Sequence, residues 1–369
     1  MNKFKFYFIV ITASVLFFSC SKDDNEVTIT PPVAFEVQYP LDIAIIKDYL
    51  TTHYFEVVNK PGFTEDQDVT ITKIDKGQAS IMSYLNATTY PKLLIRPVKL
   101  HNVPYEIYYL VLRPGTGIAP CNVDGVLASY RGTYLSRSAA TATPASELTA
   151  TFFEELKYPQ TTLSLNTVIT GWSEIFPQFK SGTSKINDNG TVTHNDFGAG
   201  VMFIPSGLAY YNSGSGGIPA YAPLVFSFKL YNIESLDQDN DGVFSYQEDL
   251  NNDGYVYDFR SLGNYPTPPE DAIRYADDTD KDFVPDFLDV DDDGDNYTTR
   301  LEITKPAGTN SGLSLYFPFD PIVDNPLTTA VETETKGIPS YDGTKVEKFD
   351  YTTPGRLRIH RDNKYPIKP

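Results

Sequence analysis

The chain has 369 residues, 41% of them apolar, enough to bury the cores of two or three domains. With 48 acidic against 30 basic residues its net charge is -18, which excludes nucleic acid or an anionic membrane surface as the main partner. Two cysteines and four scattered histidines form no CxxC and no His-rich constellation, so zinc and thiol chemistry are set aside. Aromatic residues make up 14%, and 27 prolines and 24 glycines punctuate the sequence, a pattern of strands and turns more than of long helices. The charge is concentrated: residues 237–302 hold twenty acidic and four basic residues, and the remainder is nearly neutral.

Lys3 and Lys5 precede an apolar run over residues 6–18, too short to span a bilayer and suited to a signal peptide over residues 1–19. Its end, Leu16-Phe17-Phe18-Ser19-Cys20, resembles the lipobox of bacterial lipoproteins. The resemblance implies lipidation at Cys20, and Ser21-Lys22-Asp23-Asp24 looks like the acidic export signal of Bacteroidetes surface lipoproteins. An exported outer-membrane protein is therefore expected, facing the periplasm or the surface. Cys121 would be left without a disulfide partner, so packing or metal must supply stability.

Residues 20–35 read as a polar tether. In the segment 36–99, of unknown role, Ile43, Ile46, Tyr49 and Leu50 fall at helical spacing, and Val69-Thr70-Ile71-Thr72 alternates like a strand. Closely spaced strand patterns from Ile107 onward define a domain over 100–235. Within it Gly115-Thr-Gly117 lacks the third glycine and following helix of a dinucleotide loop. Gly171 and Trp172 open a short helix that Pro177 should end. Tyr130, Val168, Ile169, Ile218 and Phe226 lie on separate strands or turns and could together line a concave, proline-sized pocket.

Five blocks in series carry a stronger signal: Gly115-Thr-Gly117, the run from Asp124 through Tyr130 to Gly132, Val168-Ile169-Thr-Gly171-Trp172, the run from Ile204-Pro205 to Tyr210, and the run from Gly217-Ile218-Pro219 to Phe226. Their order and spacing resemble the FKBP-type peptidyl-prolyl cis-trans isomerases. The resemblance implies an α+β fold, an antiparallel sheet wrapped around a short helix. It also implies Trp172 as pocket floor, Tyr130, Phe153, Val168, Ile218 and Phe226 as walls, the Ile169 N–H as donor to a substrate carbonyl, and the Tyr210 hydroxyl as donor to the carbonyl being twisted. Glu154 stands where the family has aspartate. Such chemistry needs no catalytic cofactor, and the expected partners are proline-containing protein or peptide clients. A non-catalytic proline-binding chaperone and a calcium-dependent surface interaction protein are the alternatives. An insertion between Lys180 and Met202 reads as a hairpin with an Asn-Gly turn, in which His194 is expected at the solvated surface.

Over 236–303, Asp237, Asp239, Asp241, Ser245 and Glu248 occupy positions 1, 3, 5, 9 and 12 of an EF-hand-type loop, with Gly242 at the sharp turn and the Val243 carbonyl at position 7. Alternate oxygens wrap one ion and the last carboxylate closes the shell. Asp249, Asn251 and Asp253 begin a second copy whose twelfth residue is Arg260, leaving it incomplete or borrowing Asp258. The run Asp278, Asp280, Asp282, Asp286, Asp289, Asp291, Asp293 and Asp295, with Glu302 beyond, resembles thrombospondin type-3 calcium repeats, and whether Asp289 closes one loop or opens the next is undecided. Structural calcium and a rod of stacked loops are expected, followed by an extended Pro-rich tail over 304–369.

Overall fold

The run from Ile107 to Leu112 is apolar at every position, a pattern that suits a strand covered on both faces. In the computed structural model, which describes residues 31–138, 147–308, 314–323 and 333–365, both faces of the main sheet are covered. The expected signal peptide and Cys20 lie outside the described residues, as does part of the tail. From Ala34 onward the chain forms one unit.

Helix α1 (Phe35–Thr52) comes first, with the expected Ile46, Tyr49 and Leu50 on its buried side. It is followed by a hairpin of β1 (His53–Val57) and β2 (Val69–Lys73), paired antiparallel. Next come β3 (Lys92–Leu100), β4 (Val103–Arg113), β5 (Gly125–Arg137), β6 (Leu148–Leu156), β7 (Leu163–Ser164) and the short helix α2 (Thr170–Ile175). A second hairpin, β8 (Thr183–Ile186) and β9 (Val192–Asn195), precedes β10 (Gly198–Ile204) and β11 (Leu224–Glu234). The main sheet is antiparallel in the order β3-β4-β10-β11-β5-β6, with β7 beside β5.

Period-2 alternation splits its side chains between two cores. On one face Tyr105, Ile107, Met202, Phe226 and Phe228 bury against α2, whose Trp172 and Ile175 fill the concavity. On the other, Tyr108, Leu110, Val201 and Phe203 bury against α1 and Ile81. Helix α2 stops where expected, as Pro177 leads a short 3-10 turn. The domain boundary expected at residue 100 is corrected, because β3 is a full strand of this sheet and the helix and hairpin before it cover the back. The expected Asn-Gly hairpin forms, with Gly190 at φ +80°. His194 is half-buried: one side of its ring stacks on Tyr231 at 4.3 Å, and its Nδ1 lies 2.7 Å from Ser184 Oγ at the surface.

The tail also departs from expectation. Phe317, Ile338, Ile359 and Tyr365 are widely spaced in sequence, yet they bury together with Val243 and Ile303. Arg356 donates to the Ile338 and Thr353 carbonyls, and the Arg358 guanidinium stacks 3.5 Å over Phe319. These guanidiniums satisfy carbonyls that regular structure would otherwise pair, so the segment folds without periodicity. Among the described residues no helix is long and apolar enough to cross a membrane.

Candidate functional site

Strand register brings the aromatic residues together. On β5 and β11, Tyr130 faces Phe228 and Gly132 faces Phe226. On the other side of β5 the register shifts, with Gly132 opposite Glu154 and Thr133 opposite Phe152, so Phe153 is the extra residue of a β-bulge. The bulge separates neighbouring phenylalanines. Phe152 stays exposed under the Arg131 guanidinium at 4.5 Å, while Phe153 turns inward against Phe226, ring centroids 5.6 Å apart at 88°. Gly132 makes this possible, since a Cβ there would lie 2.4 Å from the Phe153 ring.

Trp172 closes the cluster from α2. Its ring meets Tyr130 at 4.9 Å and Phe226 at 5.1 Å, both edge-on, and its Nε1 is buried with no hydrogen-bond partner among the described residues. Ile169 supplies the extended N-cap of α2, its carbonyl accepting from the Trp172 N–H at 2.9 Å. Val168 and Ile169 pack on the same core as Ile218, which is buried in a tight turn facing Ser215. Burial pushes the Tyr130 hydroxyl up to about 12, helped by the neighbouring Glu154 carboxylate. Tyr210, 37% exposed, is raised first by burial and then by the same carboxylate. Glu154 is thus the charged group that acts on both tyrosines, and Tyr130, Phe153, Val168, Ile169, Trp172, Ile218 and Phe226 pack in one core.

Two supports were not legible in the sequence as site residues. Asp42 of α1 is fully buried and accepts from the Ser206 N–H at 2.7 Å, the Ser206 hydroxyl at 2.6 Å and Gln38 at 2.7 Å, fixing the turn that leads to Tyr210. Behind α2, buried Glu174 pairs with Arg96 at 3.0 Å and accepts from the Tyr257 hydroxyl at 3.0 Å, while Tyr255 donates to its backbone carbonyl at 2.8 Å. Tyr255 and Tyr257 belong to the second aspartate loop, so that loop is latched to the helix carrying Trp172. A cavity of about 720 Å³ lies alongside, lined by Val168, Ser173, Tyr257 and Phe259 among others.

The aspartate segment repeats one geometry four times. Residues at loop positions 4 and 6 have positive φ in every copy: Asn240 and Gly242, Asn252 and Gly254, Lys281 and Phe283, Gly294 and Asn296. In each, the position-6 N–H donates to the position-1 carboxylate, as Gly242 to Asp237 (3.1 Å), Gly254 to Asp249 (2.7 Å), Phe283 to Asp278 (3.1 Å) and Asn296 to Asp291 (2.9 Å). Asp291 therefore opens the fourth loop, and Asp289 stands at the twelfth position of the third. The loops do not string out as a rod. Arg300 of the fourth donates to the Asn240 carbonyl of the first at 2.7 Å, and Gly294 packs so closely on Asp280 that a Cβ would lie 2.3 Å from its carboxylate.

The donor set fits a hard divalent cation. Asp237, Asp239 and Asp241 bring ligand atoms within 4.8 Å of one another, as do Asp278 with Asp280 and Asp282, and Asp291 with Asp293 and Asp295. Asp237 Oδ1, Asp239 Oδ2 and both Glu248 oxygens are buried with no hydrogen-bond partner among the described residues. Ser245 instead closes its loop, its hydroxyl accepting from the Gln238 N–H at 3.1 Å. In the second loop Asp258 is taken by Arg260 at 2.8 Å. Buried Asp277 instead accepts from the Leu250 N–H at 3.0 Å, and burial followed by the charges of Asp249 and Asp253 raises it to about 7. Asn251 accepts from the Asp253 N–H at 2.9 Å within this loop, and Thr279 saturates the Asp286 carboxylate with two bonds of 2.7 Å. Glu302, at the fourth loop's twelfth position, is buried on a single helical turn.

A curated relative, the FKBP-type peptidyl-prolyl cis-trans isomerase FkpA of Aeromonas hydrophila, is 29% identical over 182 residues, 48% of this chain and 58% of the relative. Over about half its length the chain is thus similar to an FKBP-type isomerase. It spans 58% of the length of that relative. Similar solved structures include a peptidyl-prolyl cis-trans isomerase from Pseudomonas syringae, 21% identical over 42% of this chain and 98% of the other, TM-score 0.27. Another is FkpA from Escherichia coli, 22% identical over 40% of this chain and 54% of the other, TM-score 0.25. The family described as BamM C-terminal matches residues 238–330, which begin within the first aspartate loop.

Proposed function

We propose that the protein is a peptidyl-prolyl cis-trans isomerase acting on proline-containing segments of exported proteins, anchored through Cys20 at the outer membrane of a bacterium. The observation that carries this reading is the edge-to-face cluster of Tyr130, Phe153, Trp172 and Phe226, with the Glu154 charge acting on both Tyr130 and Tyr210. The prolyl amide resists rotation by roughly 20 kcal/mol because resonance holds it planar. When it twists, conjugation and charge separation are lost. Transfer into a dry aromatic cleft therefore favours the twisted amide relative to the planar one more than water does.

In this reading Trp172 supports the proline ring from below, and Tyr130, Phe153, Phe226, Val168 and Ile218 form the walls. The Ile169 N–H binds another substrate carbonyl and the Tyr210 hydroxyl donates to the carbonyl being turned. Glu154 holds Tyr130 in place. No covalent intermediate and no catalytic cofactor is required. Calcium serves structure: the four loops hold it through alternate carboxylates and tie the aspartate segment to α2 through Tyr255 and Tyr257. The test is Tyr210→Phe, which should lose turnover on Xaa-Pro peptides while retaining their binding. A wild type that binds such peptides without turning them over would make the pocket a chaperone site instead.

A further inference from the structure

Position 2 of the fourth loop carries Asp292, which the loop's own scheme of alternate ligands does not use. Its side chain is nonetheless 1% exposed, the same as Asp241 and Glu248 of the first loop, and all three reach one buried point from different parts of the segment. Their carboxylate oxygens lie within 4.8 Å of one another. Both oxygens of Glu248, both of Asp292 and Oδ2 of Asp241 have no hydrogen-bond partner among the described residues, and the nearest base, His360 Nε2, stands 3.9 Å from Asp292, beyond hydrogen-bond reach. Asp241 spends its other oxygen on the Val243 N–H at 2.7 Å, which leaves Oδ2 directed to the cluster.

Three buried carboxylates with the single Thr299 hydroxyl as neighbouring donor repel one another and lose their hydration, a cost that a cation in their midst reverses. Calcium–oxygen bonds of about 2.3–2.6 Å keep any two ligands of one ion within about 5.2 Å of each other, a limit that oxygens within 4.8 Å of one another meet. We infer that Asp292 joins Asp241 and Glu248 in the Ca2+ site of the first loop, so that this ion is held between the first and fourth loops. This inference rests on the calcium reading of the loops and extends it from ions within loops to an ion between loops. The consequence is mechanical: the ion joins the loop that follows β11 to the loop that leads into the folded tail. Arg300 on the Asn240 carbonyl and Ile303 against Gly242 mark the same junction.

The test is calorimetric titration of Ca2+ into the full-length protein stripped with chelator, for wild type, Asp292→Asn and Asp278→Asn. Asp292→Asn should bind the shared ion more weakly than wild type and lose part of the calcium-induced rise in Tm, while Asp278→Asn should lose an ion from the third loop and keep the shared one at wild-type affinity. Unchanged stoichiometry and affinity in Asp292→Asn would overturn the interloop site and leave the loop sites standing. A wild type that takes up no calcium would overturn both. If Asp292→Asn does not fold, anomalous scattering from wild-type crystals soaked with a lanthanide decides: a peak among the three carboxylates is expected, and a first-loop peak out of reach of Asp292 would contradict it.

Discussion

Tyr210 and Gly132 show how single positions shape the pocket in opposite ways, one by what it offers and the other by what it lacks. The Tyr210 hydroxyl is assigned one hydrogen bond in the twisted state, and loss of such a donor costs roughly 10- to 1000-fold in rate. Tyr210→Phe is therefore expected to lower kcat/KM by about that range with peptide affinity nearly unchanged, measured by coupled turnover and calorimetry. Gly132→Ala places a methyl 2.4 Å from the Phe153 ring and 2.9 Å from Phe226, so at least one ring must move. Overpacking of that kind costs about 1–3 kcal/mol, and thermal unfolding together with a fall in turnover would register it. His101 contributes a pH dependence. Burial lowers it to about 4 from 6.5, against a smaller opposing effect of Asn264 as hydrogen-bond acceptor. Between those values the unfolded chain takes a proton that the folded one refuses, so this contribution is complete above about 6.5 and is lost on acidification toward 4. His101→Phe keeps a ring to stack on Phe35, 3.6 Å away in the native pair, and should reduce the loss of Tm on acidification in calcium-saturated protein.

At the level of elements, the sheet does not hold the Tyr210 turn alone. Asp42 on α1 reaches across to Ser206, and the Tyr39 hydroxyl of the same helix accepts from the Glu106 N–H of β4 at 2.9 Å. Asp42→Ala would strand two buried donors on Ser206 and is expected to cost about 2–4 kcal/mol, with a disproportionate loss of turnover because the turn bearing Tyr210 loosens. Chemical denaturation alongside kinetics checks this, and equal losses in a distant core variant of matched stability would argue against a local effect. The short helix with Trp172, its stop at Pro177 and the inserted hairpin were legible because each has a local cause in glycine, proline or alternation. Asp42 was not, since a lone aspartate on a helix gives no sign that its partner lies on a turn between β10 and β11. The bulge at Phe153 was hidden for the same reason: Phe152 and Phe153 read alike until the register against Gly132 separates them.

The whole molecule joins a sheet with two cores to a carboxylate-rich body and a folded tail. Loop spacing was legible because cation ligands must alternate, but the partners Asp277 and Asp292 were not, since they serve loops other than their own. The tail was misread as extended because its apolar residues have no period, although they share a core with Val243 and Ile303. The two cores of the sheet draw on strands and helices outside the loops, apart from Tyr265 at the margin. Chelation should therefore leave the sheet folded and turnover present while opening residues 237–302 to proteolysis, which limited digestion with mass-spectrometric mapping would detect. Simultaneous loss of sheet protection would show that the segment folds only with its neighbour. The most direct test of the account is NMR exchange between cis and trans Xaa-Pro peptides in the presence of the full-length protein. Exchange well above the uncatalysed rate, abolished or strongly reduced by Tyr210→Phe, is the predicted result; uncatalysed exchange across several peptides, with the sheet shown to be folded, would contradict it.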